Sequence, residues 1–184
     1  MIRTGLWILA GLVLGGIIHI VVILLLPGLS ATAAWDRVAA LGPPGGTQLL
    51  AAVTAGQPNP LRLDPELSYA VCRLDLGKGP GTVAGSLPQA FWSVAVYGRN
   101  GTVIYSTTNR DSTSNLLDLG LFNAAQTRLL AEQKLDIAEG LLIVEAQEDQ
   151  LMVVVRLAPP HPAMRARYET ALAGLKCGNL PTGQ

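Results

Sequence analysis

Between Leu6 and Leu26 lie 21 residues without an Asp, Glu, Lys or Arg. At about 1.5 Å of rise per residue, a helix of that length matches the roughly 30 Å hydrocarbon core of a bilayer. No other stretch constrains the chain as much, because an apolar helix this long needs lipid or protein on every side. Gly5, Gly11, Gly15 and Gly16 suit a membrane span, where glycine is commoner than in soluble helices. His19 is the polar interruption, and Pro27-Gly28 is expected to end the helix. Arg3 and the amino terminus precede the span, whereas Asp36 and Arg37 cancel beyond it, so the positive-inside bias places the N-terminus in the cytoplasm and exports the rest. The rival reading is a cleaved signal peptide with Ala31-Thr32-Ala33 as its small-residue site, but the apolar run exceeds the usual 7–15 residues or so of such signals. The expected organisation is a cytoplasmic N-terminus over 1–5, a signal-anchor helix over 6–26 and a juxtamembrane helix and irregular arm over 27–66. An exported domain over 67–178 and a tail over 179–184 follow.

Composition narrows the function classes. Thirteen basic and thirteen acidic residues cancel, and charged residues are 14% of the chain, which excludes a nucleic-acid binder of the usual basic kind. Two cysteines and two histidines cannot assemble a metal-ligand cluster by spacing, so no metal and no cofactor is expected. In an oxidising compartment Cys72 and Cys177 most simply form a disulfide; the alternative is two buried free thiols.

The pattern of the exported part points to an α+β fold: a small antiparallel-sheet domain with helices packed on one face, behind the transmembrane helix. Trp35, on a helix-prone stretch over 31–41, reads as an anchor in the membrane interface, where an apolar ring with a polar N–H is favoured. Residues 42–66, broken by prolines and glycines, read as an irregular wrapping arm. Residues 69–76 alternate with a period of two, with Cys72 on the apolar side. Residues 90–97 and 102–106 form a hairpin through Asn100-Gly101, expected as a type I′ turn with both residues at positive φ, and Trp92, Val94 and Val96 share a face. Asn100-Gly101-Thr102 is also a glycosylation acceptor pattern, which the turn explains more simply. Leu116–Leu119 is a short strand, Asn123 caps a helix over 124–133, and 141–146 with 151–157 form a second hairpin. The last helix is expected from Pro159 to Lys176, stopped by Gly178.

Candidates for chemistry are few. Gly11 and Gly15 make a GxxxG match with His19 four residues on and therefore on the same face, a candidate contact for another membrane helix. The alternative is a tolerated polar residue in a glycine-containing span. The polar loop from Thr107 to Asn115 lies beside a sheet, where sites are often built, yet Ser106, Ser112 and Ser114 lack a nucleophile elbow and an activating histidine. His161 reads as an exposed turn residue. Arg73, Arg99 and Arg110 could take an anionic ligand through forked hydrogen bonds; the alternative is a solvated surface charge.

The embedded His19 with a following Leu-Pro, Ala70-Val-Cys-Arg-Leu-Asp-Leu-Gly77, Trp92-Ser-Val-Ala-Val-Tyr97 leading to Asn109-Arg110, and the distal Cys177 together resemble a bacterial membrane-protein family. It is number 1254 of the domain-of-unknown-function series. The resemblance implies an inner-membrane protein with an exported β-rich domain and a companion protein of series number 1214, and no established activity. It singles out Cys72, Arg73, Asp75, Asn109, Arg110 and Cys177. This chain is much shorter than the family's large soluble members, so a ligand of those does not transfer.

The expected function is therefore that of a single-pass, non-enzymatic protein of the bacterial inner membrane whose periplasmic domain binds a partner protein in the cell envelope. The lipid bilayer is its other partner. The alternative is a binding domain for a small or lipid-derived ligand, using Arg73, Asp75, Asn109 and Arg110. A third reading is a hydrolase built on the polar loop.

Overall fold

A computed structural model describes residues 2–110, 115–132 and 140–180, with backbone alone for 27–34. The chain opens with one helix, α1 (Ile2–Ala39). Its segment Ile2–Leu26 is long and apolar enough to cross a membrane, and every side chain along it is exposed. The helix does not stop at Pro27-Gly28 as the sequence suggested. Proline removes one backbone donor, but the turns that follow are held by tertiary packing at the far end, where Trp35 and Val38 are buried.

Among the described residues nine strands follow, interrupted by two short α-helices: β1 (Thr47–Leu49), β2 (Ser68–Asp75), β3 (Gly81–Ser86), β4 (Trp92–Gly98), β5 (Val103–Thr108) and β6 (Leu116–Asn123). Then come α2 (Ala124–Glu132), β7 (Leu142–Ala146), β8 (Gln150–Leu157), α3 (Arg165–Ala173) and β9 (Lys176–Asn179). They form two sheets. Sheet A has the order β1-β2-β8-β4-β5 and is antiparallel throughout; sheet B has the order β7-β6-β3-β9, with β6 and β7 parallel. The mixed α+β class expected from sequence is the class observed, with the sheet divided into two layers.

The core lies between the layers. Ala70, Cys72 and Leu74 of β2, Trp92, Val94 and Val96 of β4, and Leu151, Val153, Val155 and Leu157 of β8 meet Val83 of β3, Leu117, Leu119 and Leu121 of β6, and Val144 of β7. Period-two alternation in each strand sends these residues to one side. Tyr168, Leu172 and Leu175 join the same core from α3 and the turn after it.

Several local expectations change. Residues 141–146 and 151–157 are not a hairpin: β7 pairs with β6 in sheet B, while β8 lies between β2 and β4 in sheet A. The three residues between β7 and β8 turn a corner between layers. The last helix ends at Ala173, and Gly178, rather than stopping it, pairs with Thr82 inside β9. Of the first hairpin's turn residues only Gly101 has positive φ, so Gly98–Gly101 is a type I turn followed by a left-handed glycine, with Asn100 Oδ1 accepting from Thr102 N at 3.0 Å. Asn123 does cap α2: its Oδ1 accepts from Gln126 N at 3.0 Å while Gln126 Oε1 accepts from Asn123 N at 2.9 Å, a reciprocal capping box.

Cys72 and Cys177 form a disulfide, with 6.3 Å between their Cα atoms. Because Cys72 lies on β2 and Cys177 on β9, the bond joins sheet A to sheet B.

Candidate functional site

The outer face of sheet A, turned away from the main core, carries a second apolar cluster. Trp35 and Val38 of α1 pack with Leu50, Tyr69, Val71 and Met152, and Leu61, Leu63, Leu67, Tyr97 and Val154 surround them. Trp35 is thus a packing residue between helix and sheet and not the exposed interface anchor its residue type suggested. Val71 and Met152 offer it an apolar surface that no local pattern around Trp35 could reveal.

Arg73 fixes this joint. Its Nη2 donates to the carbonyl of Gly42 and, at 3.4 Å, to that of Ala39, so a cation on β2 closes the C-terminus of α1. The next segment is tied down as well: Gly45 N donates to Arg73 O at 3.0 Å, Gly46 N to Cys177 O at 3.2 Å, and Thr47 Oγ1 to Leu175 O at 2.6 Å. Arg37 adds a bond from Nη1 to Pro60 O at 2.7 Å, linking the helix to the arm.

The four residues expected to share a ligand do not converge. Asp75 Oδ1 accepts from Gly77 N at 3.1 Å and Oδ2 lies 3.9 Å from Lys78 Nζ, so this carboxylate organises the turn after β2. Asn109 follows β5 and donates its backbone N–H to Trp92 O at 3.2 Å; Arg110 is exposed, with its N–H on Thr108 Oγ1 at 3.3 Å. Arg73 is level with Met152 and Tyr97, whereas Thr108 is level with Ser93. Three strand spacings and four residues of rise separate them, about 20 Å. Arg73 and Arg110 therefore belong to different parts of the surface.

Ser112 and Ser114 lie outside the described residues, and Ser106 is exposed on the edge strand β5. His161 is exposed, and its Nδ1 accepts from Ala163 N at 3.2 Å, capping the short 3-10 turn Pro162–Met164. Gly11 and Gly15 have open space around them, as His19 is exposed on the same helix; each faces outward from α1. Among the described residues no group of His, Cys, Asp and Glu could hold a metal ion.

The structure does build a concavity where the sequence indicated none. Beside the α1 joint, the arm and the outer face of sheet A flank an open cavity of about 260 Å³, lined by Val38, Leu50, Leu61, Leu63, Tyr97, Met152, Val154 and Arg156 among others. A neighbouring cavity of about 370 Å³ shares Leu50, Leu61 and Leu63 with it and continues under residues 51–60. Arg156 is half-buried at its edge and donates from Nη2 to the Tyr97 hydroxyl at 2.6 Å. Its position was available in the sequence as an alternation, since Gln150, Met152, Val154 and Arg156 fall on one face of β8. The meaning of that face was not, because its cover comes from α1 and the arm, more than eighty residues earlier.

No family model matches the chain, and no curated protein matches it. Among solved structures, the crystal structure of the VPA0106 protein from Vibrio parahaemolyticus is similar over 83% of this chain and 36% of its own, with a TM-score of 0.57 at 10% identity. An uncharacterized protein from Burkholderia cenocepacia aligns over 80% of this chain and 46% of its own, with a TM-score of 0.38 at 14% identity. The chain spans less than half the length of either. What the first likeness establishes is a fold shared with the VPA0106 protein.

Proposed function

We propose that this chain is a single-pass protein of the bacterial inner membrane, N-terminus in the cytoplasm, whose periplasmic domain recognises a partner protein of the cell envelope. In this reading it belongs to series number 1254 and its companion of series number 1214 is the first partner to test. The observation that carries the proposal is the joint between α1 and sheet A. Trp35, Val38 and the Arg73 clamp make the end of the apolar helix part of the domain's own packing, so the domain is held close to the membrane surface. A binding surface held there meets membrane neighbours at high effective concentration. The disulfide supports the exported side, since such bonds persist in oxidising compartments. Arg3 ahead of the span supports the orientation.

The test is in-cell crosslinking and co-purification of the full-length protein beside a form whose span, including Gly11, Gly15 and His19, is replaced by polyleucine. A stoichiometric partner lost with polyleucine assigns recognition to the span; one retained assigns it to the domain. Absence of a specific partner from both samples overturns the proposal. Fusion of a reporter active only outside the cytoplasm to the C-terminus checks the orientation separately.

A further inference from the structure

We infer that the groove on the outer face of sheet A binds a single-chain lipid with an anionic head group, its acyl chain along Leu50, Leu61, Leu63 and Val154 and its head group on Arg156. This goes beyond partner recognition and does not depend on it.

Three observations carry it. First, the middle of the groove is aliphatic: the side chains common to the two adjoining cavities, Leu50, Leu61 and Leu63, offer no hydrogen-bonding group. An extended peptide laid there would leave its own N–H and C=O groups unpaired, whereas an acyl chain has none to satisfy. Second, Arg156 stands half-buried at one edge with the Tyr97 hydroxyl as its hydrogen-bond partner, and among the described residues no carboxylate lies within ion-pair distance of it. A partly desolvated guanidinium without a counter-ion favours an arriving anion, and its planar fork matches a carboxylate or phosphate. Third, Val38 of α1 forms part of the wall, so the groove opens alongside the helix whose other end is apolar enough to lie in a bilayer.

The experiment uses full-length protein in nanodiscs of phosphatidylcholine, labelled with a photoactivatable palmitate whose attachment sites are read by peptide mass spectrometry. Labelling is expected within 50–63 and 150–156, and unlabelled palmitate is expected to displace it while palmityl alcohol is not. Arg156→Gln is expected to lower labelling at these sites about tenfold, the equivalent of one charge-assisted hydrogen bond, and Arg156→Lys, which keeps the charge without the fork, to restore only part of it. Val154→Trp, which fills the groove, is expected to abolish labelling there; formation of the Cys72–Cys177 disulfide in each variant verifies folding. Labelling confined to 2–26, labelling unchanged in Arg156→Gln, displacement by the alcohol as well as by palmitate, or a groove filled instead by a co-purifying polypeptide would each overturn the inference.

Discussion

The guanidinium of Arg73 reaches the carbonyl of Ala39, 34 residues earlier, and so closes the apolar N-terminal helix onto the second strand of the domain. The same side chain also bonds the Gly42 carbonyl. Arg73→Met should destabilise the folded domain by about 1.5–3 kcal/mol, the range for hydrogen bonds from a charged donor, and should free the 42–47 segment. Denaturant titration of the full chain in detergent, with limited proteolysis of that segment, checks both. Arg110→Met, at an exposed site, should change neither.

Removing Trp35 tests whether the helix end is packed or lies at a lipid interface. Trp35→Ala should cost about 3–5 kcal/mol, as expected for truncating a large buried aromatic, and Trp35→Phe considerably less. Stability compared in detergent micelles and in nanodiscs discriminates the roles. A packing residue gives the same loss in both, whereas an interface residue gives its loss only where a bilayer is present.

Opening the bridge between the sheets should be costly. Cys72→Ala with Cys177→Ala should lower stability by up to about 4–5 kcal/mol in the chain-entropy account of a long closed loop. The unaltered protein should run faster on a non-reducing gel than after reduction, and the double variant should show no such difference.

The α2 cap offers a smaller effect with a sharper signature. Asn123→Ala should cost about 1 kcal/mol or more, and Gln126→Ala more than its half of the box, because Asn123 Nδ2 also donates to Asp149 Oδ1 at 2.9 Å and Gln126 Nε2 to Leu76 O at 2.7 Å. The double variant should cost less than the sum, since each residue's cap bond needs the other's backbone placed. A double-mutant cycle by thermal unfolding measures the difference.

What the sequence disclosed were features set by neighbours along the chain. Cys72 faces the core because residues 69–76 alternate; Trp92, Val94 and Val96 share a face for the same reason; Asn123 and Gln126 stand at capping-box spacing. What it concealed depended on distant partners. The three residues between β7 and β8 have hairpin length, and only the pairing of β7 with β6 reveals a corner. β3 was missed because Gly-Thr-Val-Ala-Gly-Ser has little side chain to pattern. A Cβ at Gly85 would stand 2.7 Å from Leu175, so the glycine makes room for that residue against the strand. β9 was absorbed into the preceding helix because Leu172 and Leu175 keep helical spacing past its true end. The ligand set around Arg73 and Arg110 failed for a related reason: strand order and register, which the sequence does not specify, set them three strands apart and at different heights of a five-stranded sheet.

The strand that carries Cys177 also has a bearing on how the protein is made. Cys72 emerges 105 residues before its partner, and β3 acquires its second neighbour only when β9 arrives. A domain threaded through a membrane from its anchored end onward would therefore hold a free thiol and an open strand edge until almost all of it had crossed. Chains halted before Lys176 would carry both marks at once, while completed ones would carry neither, so unfinished and finished molecules differ in chemistry as well as in length.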